Sequence, residues 1–274
     1  MFSLEGKVAA VTGGGRGIGR GISLAMAQAG AAVVLSGRSA APLEATAATI
    51  RESGGQALVL PGDITGPGAA AAIAQAAVET FGGLDAWVNN AGSADPGDVG
   101  PLIDIDEGQW DRVVDLNMKS AFFAAQAAAR VMKALGRGGS IVNITSRSGS
   151  QPNPMTGQYG AAKAGVENLT ATMAVEWGHL GIRVNGIAPG VVMTEEMTAW
   201  MSPQAAARQV ESVPLGRLGR PEDVGPLCVY LASDESEWVS GTVVQLTGGS
   251  RVPVGYLAYL HKVNKARREA EAAG

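Results

Sequence analysis

The sequence predicts an α/β protein: one doubly wound domain built around a seven-stranded parallel sheet. Short apolar runs rich in valine, isoleucine and leucine alternate with longer helical runs from residue 7 to about residue 246. Continuous apolar runs of this kind are typical of strands that helices cover on both faces. No linker or internal repeat interrupts the alternation. We therefore expect one domain over residues 1–250, followed by a tail over residues 251–274.

The individual elements follow from the same alternation. The predicted strands are residues 7–12, 31–36, 57–60, 84–89, 140–144, 183–187 and 242–246. Helices are predicted from the glycine-rich turn after the first strand to residue 29, and over residues 42–52, 69–81, 108–135, 156–180 and 222–232. Gly30 suits the end of the first helix, because glycine readily adopts the left-handed backbone that closes a last turn. The Met-rich stretch before residue 222 is predicted to be irregular.

Composition excludes several classes of function. The net charge of −4 and the pI near 5.3 disfavour a nucleic-acid-binding protein, which needs clustered basic residues. Cys228 is the only cysteine, so no intrachain disulfide can form, and its apolar surroundings predict a buried small side chain. No signal peptide and no membrane-length apolar run is evident. We expect a cytoplasmic protein without a membrane partner, a nucleic-acid partner or a metal site.

A glycine-rich turn links the first strand to the first helix. Gly13 permits the tight turn, Gly17 lets a pyrophosphate approach the backbone, and Gly19 permits close packing of helix on strand. The free N–H groups and the positive dipole end of the helix would face the phosphates. A glycine pattern alone is weak evidence, but a flanking strand and helix are the required context. The turn predicts a Rossmann-type dinucleotide site rather than a merely flexible loop.

Further polar residues follow the third and fourth strands. Asp63 is placed to accept a hydrogen bond from an adenine amine, or else to stabilise its own turn. Asn90, Ala91 and Gly92 end the fourth strand at the edge where ligands bind in such sheets. The alternative for these three residues is ordinary turn chemistry.

Tyr159 and Lys163 are four residues apart, on one face of a predicted helix. A free phenol has a pKa near 10, too high for a general base at neutral pH. A neighbouring ammonium and a positively charged nicotinamide would lower that pKa, and a shift of about three units corresponds to roughly 4 kcal/mol. Tyr159 could then exchange a proton with a substrate oxygen. An exposed helix pair is the alternative for this spacing.

Two other polar residues support a catalytic interpretation. Ser146 follows the fifth strand, at the same sheet edge as the glycine turn, where its hydroxyl could hold the substrate oxygen. Asn117 lies inside a long, largely apolar helix, where asparagine is an unfavourable choice. It is predicted either to hold a relay water or to have a structural role as a cap or kink.

These motifs together resemble the short-chain dehydrogenase/reductase family over about residues 5–249. Gly13, Gly17 and Gly19 match its TGxxxGxG motif, and Asn89 to Gly92 match its NNAG motif. Ser146 precedes Tyr159 by thirteen residues, as the family's serine does. Further matches are Asn117, the nicotinamide-side segment Pro189, Gly190 and Thr194, and the terminal Leu246 to Gly249. Thr247 departs from the family, which usually has aspartate there, and the tail runs some twenty residues beyond the usual end.

The resemblance implies roles and an assembly. Tyr159 would be the acid/base, Lys163 would bind the ribose and lower the tyrosine pKa, Ser146 would steady the substrate, and Asn117 would hold a water. A homotetramer or homodimer is implied. The cofactor contacts that we predict are Gly13, Arg16, Gly17, Ile18, Gly19, Arg38, Asp63, Ile64, Asn90, Ala91, Gly92, Tyr159, Lys163, Pro189, Gly190, Val192 and Thr194.

The second strand bears on the choice of cofactor. A carboxylate near its end holds the ribose hydroxyls in NAD-specific proteins, yet no acid occurs between Gly30 and Glu44. Arg16 and Arg38 are suited to a 2′-phosphate instead. They predict NADP(H), with NAD(H) left open because an arginine can also stack on adenine, and with surface arginines as the structural alternative.

The predicted activity is hydride transfer between this cofactor and a secondary alcohol or ketone. A fairly apolar substrate is favoured by the apolar residues that flank the expected pocket, which are Met155, Val191, Met193, Met197, Trp200 and Met201. Several of them could equally pack a lid helix. A catalytically silent cofactor-sensing regulator and a sugar-nucleotide epimerase or dehydratase are the alternatives. The regulator is disfavoured because Asn117, Ser146, Tyr159 and Lys163 are all present. The epimerase or dehydratase is disfavoured by the short chain without a sizeable C-terminal substrate domain.

The tail is predicted to be an amphipathic helix. Tyr256, Leu260 and Val263 form an apolar stripe opposite a basic side. The stripe would cover either a neighbouring subunit near its substrate entrance or its own subunit.

Overall fold

A parallel sheet forms the centre of the protein, whose computed structural model describes residues 2–250. In those residues the sheet has seven strands in the order β3-β2-β1-β4-β5-β6-β7, and every neighbouring pair is parallel. The strands are β1 (Val8–Thr12), β2 (Ala32–Gly37), β3 (Ala57–Pro61), β4 (Ala86–Asn89), β5 (Gly139–Ile144), β6 (Ile182–Pro189) and β7 (Val243–Leu246). The predicted Rossmann-type sheet is confirmed.

Helices connect the strands and cover the two faces of the sheet. They are α1 (Gly17–Gln28), α2 (Ala40–Glu52), α3 (Ala69–Phe81), α4 (Glu107–Val114), α5 (Ser120–Leu135), α6 (Gly157–Trp177), α7 (Glu195–Trp200), α8 (Pro203–Glu211) and α9 (Pro221–Ala232). One buried cluster joins the sheet to α1, α2 and α9, with Met26, Leu43 and Cys228 among its members. A second joins the other face to α3 and α5, through residues such as Trp87 and Met132.

The strand order reverses between β1 and β4. The chain steps from β1 to β2 and β3, and then returns to the other side of β1 to lay down β4. The loops that leave β1 and β4 therefore diverge and open a crevice at the carboxyl edge of the sheet, where ligands bind in open α/β sheets.

Two predictions about the helices need correction. The helix predicted over residues 108–135 is continuous, but a π-helical turn, Asp115–Lys119, separates α4 from α5. The stretch predicted to be irregular contains α7 and α8. Both begin at side-chain caps, because the hydroxyl of Thr194 accepts from Met197 N and that of Ser202 accepts from Ala205 N, each at 3.2 Å. These caps satisfy free N–H groups that apolar periodicity does not reveal.

The remaining boundaries lie within two residues of the predictions, except that α6 ends at Trp177, three residues before the predicted end, where a 3₁₀ turn over Gly178–Leu180 takes over. Cys228 is fully buried, and burial raises the pKa of its thiol, which agrees with the predicted inert small side chain. The predicted helical tail lies outside the described residues.

Candidate functional site

A cleft of about 380 Å³ opens at the reversal point. It brings together most of the predicted site residues, namely Gly13, Arg16, Gly17, Ile18, Gly19, Arg38, Asp63, Ile64, Asn90, Ala91, Gly92, Ser146, Tyr159, Lys163, Pro189, Gly190 and Thr194. Asn117 is buried behind the lining. Val192 does not line the cleft, because its side chain is buried in the apolar cluster between sheet, α1 and α9.

The glycine turn forms the floor of the cleft. Gly13 and Gly17 have φ angles of 66° and 47°, which favour glycine. A Cβ on Gly13 would lie 2.8 Å from Asn90 Nδ2, and one on Gly17 would lie 2.9 Å from the methyl carbon of Thr194. A Cβ on Gly19 would collide with the Gly13 carbonyl. The bare backbone and the N-terminus of α1 thus form a cradle that fits the pyrophosphate of a dinucleotide.

Thr12 and Asn90 join the glycine turn to the end of β4. The Thr12 hydroxyl accepts from the N–H groups of Asn90 and Ala91, both at 3.0 Å, and donates to Val88 O at 3.3 Å. The Asn90 side chain donates to Thr12 O at 2.9 Å. Asn90 therefore both stabilises the turn and lines the cleft. Sequence reasoning missed the role of Thr12, since a threonine at the end of a buried strand carries no signal of its own.

Charged side chains lie at the end of the cleft formed by β2 and β3. Asp63 accepts from the N–H and hydroxyl of Thr65 at 2.9 and 2.8 Å, and these bonds, with Arg38 nearby, lower the pKa of its carboxyl. Asp63 thus has the turn role offered as its alternative and still faces the cleft. Arg38 and Arg16 are exposed at the same end, and Arg16 pairs with Glu196 of α7 at 3.6 Å.

Tyr159, Lys163 and Ser146 meet where β5 ends beside α6. The Lys163 Nζ lies 5.6 Å from the centre of the Tyr159 ring and donates to Ile144 O at 3.0 Å. The Ser146 hydroxyl hydrogen-bonds to Tyr159 and accepts from Ser148 N at 3.1 Å. Lys163 is buried, which rules out the alternative of an exposed helix pair.

Burial governs the electrostatics of this group. It raises the pKa of Tyr159 above 10.0, and the hydrogen bond from Ser146 only partly offsets the effect. It lowers the pKa of Lys163 to about 8. The expected depression of the tyrosine pKa is therefore not a property of the protein by itself, because desolvation disfavours the phenolate and the ammonium alike.

Asn117 lies in the π-helical turn and faces the same region. Its Nδ2 donates to Ser93 O at 2.7 Å and to Val113 O at 2.9 Å. Its Oδ1 is buried, and no hydrogen-bond partner for it occurs among residues 2–250. A Cβ on Gly92 would lie 2.6 Å from this oxygen and 3.0 Å from Lys163 Nζ, so both atoms point into the space beside Gly92.

Apolar side chains lie near the start of α6, the helix that carries Tyr159. Met155 and Leu102 are exposed there, and Leu102 packs against Gly157, two residues before Tyr159. Val191, Met193, Met197 and Met201 are half-buried, whereas the side chain of Trp200 is outside the described part. Sequence reasoning missed Leu102 because it lies in an irregular loop far from α6 in the chain.

Metal-ligating clusters and membrane-spanning helices are both absent from residues 2–250. These residues hold no group of three or more His, Cys, Asp or Glu side chains suited to a metal ion. None of their helices is both long enough and apolar enough to cross a membrane.

Comparison with known proteins agrees with this geometry. A family profile described as enoyl-(acyl carrier protein) reductase matches residues 13–251. A short-chain type dehydrogenase/reductase of Picea abies is 41% identical over 90% of this chain and 93% of its own. A 7α-hydroxysteroid dehydrogenase structure, complexed with NADH and 7-oxo glycochenodeoxycholic acid, has a TM-score of 0.85 and 35% identity over 90% of this chain and 95% of its own.

A second solved structure extends the comparison. It is a candidate 2-deoxy-D-gluconate 3-dehydrogenase of Agrobacterium tumefaciens with bound NADP, and it has a TM-score of 0.84 and 37% identity over 92% of this chain and 99% of its own. The chain belongs to the short-chain dehydrogenase/reductase family and is an NAD(P)-dependent oxidoreductase that acts on alcohol or carbonyl groups.

Proposed function

We propose that the cleft interconverts a secondary alcohol and a ketone of fairly apolar character, with Tyr159 as the general acid/base. The observation that carries this proposal is the meeting of Ser146, Tyr159 and Lys163 in a cleft whose floor is a cradle suited to phosphates. A catalytically silent regulator would need the cradle but not the three side chains.

The nicotinamide supplies the hydride acceptor or donor when it is bound. Ser146 donates a hydrogen bond to the substrate oxygen and so orients it toward Tyr159. In reduction the Tyr159 hydroxyl gives its proton to the oxygen as hydride reaches the carbon, and in oxidation the phenolate takes that proton back. Lys163, as an ammonium, favours the phenolate over the phenol.

Reprotonation of Tyr159 needs a path to solvent. We assign it to Lys163 and Asn117, because an unpartnered buried acceptor and an ammonium point into one space beside Gly92. A water there would satisfy Asn117 Oδ1 and hydrogen-bond to Lys163. The Asn117 side chain is held for this task by Ser93 O and Val113 O.

Substrate character is inferred from apolar side chains near the start of α6 and in the segment that follows β6. Exposed Leu102 and Met155, with half-buried Met193 and Met197, offer adaptable apolar contacts. The relatives act on quite different molecules by name, including a hydroxysteroid and a dehydro-deoxygluconate, so the lining of this chain is the better guide.

We assign NADP(H) as the preferred cofactor and NAD(H) as the weaker one. Arg38 and Arg16 are exposed at the cleft beside the end of β2, where no carboxylate is available for ribose hydroxyls. The contacts to the cofactor would come from the cleft residues described above, with Val192 contributing through its backbone.

A homotetramer or homodimer fits the surface of the described residues. Phe123, Val175 and Trp238 are 53%, 84% and 98% exposed, and large exposed apolar side chains of this kind are available for a subunit interface. We propose that a neighbouring subunit covers part of this surface and that the enzyme works in the cytoplasm.

Replacing Tyr159 by phenylalanine tests the chemistry. Tyr159→Phe should lower kcat by a factor of about 100 or more while cofactor affinity changes little, because only the reacting proton is lost. Steady-state rates over an alcohol and ketone panel, with cofactor titration by fluorescence, measure both. Tyr230→Phe, which alters a tyrosine packed on Phe2, is the matched control. Activity of Tyr159→Phe within about tenfold of wild type would contradict the assignment.

Replacing Arg38 by alanine tests the cofactor preference. We expect wild type to show a higher kcat/KM for NADPH than for NADH, and Arg38→Ala to reduce that ratio by about tenfold through loss of a charged partner for the 2′-phosphate. Arg51→Ala, an exposed arginine at the end of α2, is the control. A higher kcat/KM of the wild type for NADH than for NADPH would refute the assignment of NADP(H).

A further inference from the structure

The N-terminal end of helix α7 lies beside the glycine turn. Thr194, which caps α7, lies with its methyl carbon against the place where a Cβ of Gly17 would stand. Two residues later, Glu196 lines the cleft and points its carboxylate at Arg16, with an Nη1 to Oε1 distance of 3.6 Å. The segment that follows β6 thus brings a negative charge to one of the two arginines at the cofactor cleft.

The charges around Arg16 make this pair stand out. Glu196 is the ion-pair partner of Arg16 among the described residues. The other carboxylate of this part of the cleft, Asp63, is engaged with Thr65. Arg38, the second cation, faces the same cleft and is near Asp63 rather than Glu196.

The pair is weak enough to be displaced. The Arg16 and Glu196 side chains are 55% and 62% exposed, and their 3.6 Å separation is long for a charge-assisted hydrogen bond. Exposed ion pairs of this kind stabilise little, because water and salt screen them. A phosphate dianion offers a guanidinium a stronger partner with bidentate geometry.

We propose that Glu196 is a specificity-determining residue: its carboxylate competes with the ribose 2′-phosphate of NADP(H) for Arg16 and so weakens the discrimination against NAD(H). The proposal rests on the cofactor cleft described under the proposed function. A ligand with a 2′-phosphate must replace Glu196 at Arg16 and tolerate its charge. A ligand with a free 2′-hydroxyl leaves the pair in place.

Removing the charge of Glu196 tests whether its carboxylate competes with the 2′-phosphate for Arg16. The probes are 2′,5′-ADP and 5′-AMP, which differ by the 2′-phosphate, with affinities measured by calorimetry at low salt. Glu196→Gln should tighten 2′,5′-ADP by about fivefold and change 5′-AMP by less than about twofold. Glu195→Gln, an exposed neighbour in the same helical turn, is the matched control and should change neither affinity.

Two further measurements test whether the tighter binding of 2′,5′-ADP depends on Arg16. In an Arg16→Ala background, Glu196→Gln should no longer tighten 2′,5′-ADP, and at high salt the gain should shrink toward zero. An equal gain without Arg16, or a Glu196→Gln variant that binds 2′,5′-ADP no more tightly than Glu195→Gln, overturns the proposal. Circular dichroism of each variant verifies its fold.

These outcomes are independent of the preference assigned above. If wild type prefers NADH while Glu196→Gln still tightens 2′,5′-ADP through Arg16, the assigned preference is wrong and the role of Glu196 stands. If wild type prefers NADPH and Glu196→Gln has no effect, the preference stands and the role of Glu196 is wrong.

Discussion

Lys163 shows how much a single residue depends on its surroundings. Its ammonium is removed from solvent and has the Ile144 carbonyl as a partner, while the Tyr159 ring lies beside it. Burial lowers the pKa of this ammonium to about 8, because a carbonyl replaces only part of the lost hydration. Near neutral pH the lysine is therefore charged, but at a cost to the folded state that disappears when the proton leaves.

This cost predicts a pH dependence of stability. Because the folded pKa of about 8 lies below the ordinary value of 10.5, the unfolded chain binds more protons between these values, and stability rises with pH there. Over the whole range between these two pKa values of Lys163, the free energy of unfolding should rise by about 3 kcal/mol. In thermal unfolding of the cofactor-free protein between about pH 7.5 and 9.5, below the tyrosine transition, the stability of wild type relative to Lys163→Met should show this rise, because the opposing effect of the buried Cys228 thiol, whose pKa is raised, is common to both proteins.

Two matched variants test whether Lys163 causes this rise of stability with pH. Lys163→Met should lose the rise, whereas Lys133→Met, which removes an exposed lysine in the last turn of α5, should keep it. Parallel pH profiles for wild type and Lys163→Met would show that Lys163 does not titrate in this range.

At the scale of elements, the contact between α1 and α9 holds the glycine turn in place. The two helices approach closely at glycines, since a Cβ on Gly21 would lie 2.7 Å from the Pro221 carbonyl carbon. A Cβ on Gly225 would lie 2.6 Å from Ala25 Cβ and 2.9 Å from Gly21 O. Because α1 begins at the cradle, this contact supports the helix whose N-terminal N–H groups face the cleft.

A pair of glycine substitutions tests this contact. Gly225→Ala should lower the free energy of unfolding by about 1–3 kcal/mol, because the added methyl overpacks a rigid interface. Gly178→Ala is the control. That glycine has helical φ and ψ of −57° and −36°, and a Cβ there would meet no atoms within 4 Å, so alanine should stabilise by up to about 1 kcal/mol. Denaturant unfolding measures both, and equal effects would contradict close packing at Gly225.

Across the whole molecule, the reversal of strand order determines where the site lies. Residues from β1, β4, β5 and β6 reach the same edge, so the cradle, the Tyr159 group and the start of α7 share one cleft. The tail beyond residue 250 is the part whose relation to this cleft is still a prediction, and it rests on the apolar stripe of Tyr256, Leu260 and Val263.

Truncation after Val254 tests whether the tail serves another subunit. If the stripe docks on a neighbour and borders its substrate entrance, the truncated enzyme should form a smaller oligomer, as measured by light scattering, or show a raised KM for its best substrate. The value of kcat should be less affected. A chain shortened only by residues 270–274 is the control. An unchanged oligomer together with an unchanged KM would mean that the tail covers its own subunit.

Features that depend on local pattern could be predicted from the amino-acid order alone. Apolar runs and their spacing located all seven strands of the described sheet, because buried strands must be apolar wherever they lie. The glycine turn and the spacing of Ser146, Tyr159 and Lys163 located the cleft, since a parallel sheet brings the ends of its strands to one edge.

Features that join residues far apart in the chain became visible only in three dimensions. The hydrogen bonds of Thr12 to the end of β4, the contact of Leu102 with Gly157 and the pair of Arg16 with Glu196 have no local signature. The raised pKa of Tyr159 belongs to the same class, because its desolvation is produced by everything packed around it. Side-chain chemistry can be inferred from the sequence, whereas its environment is created by the fold.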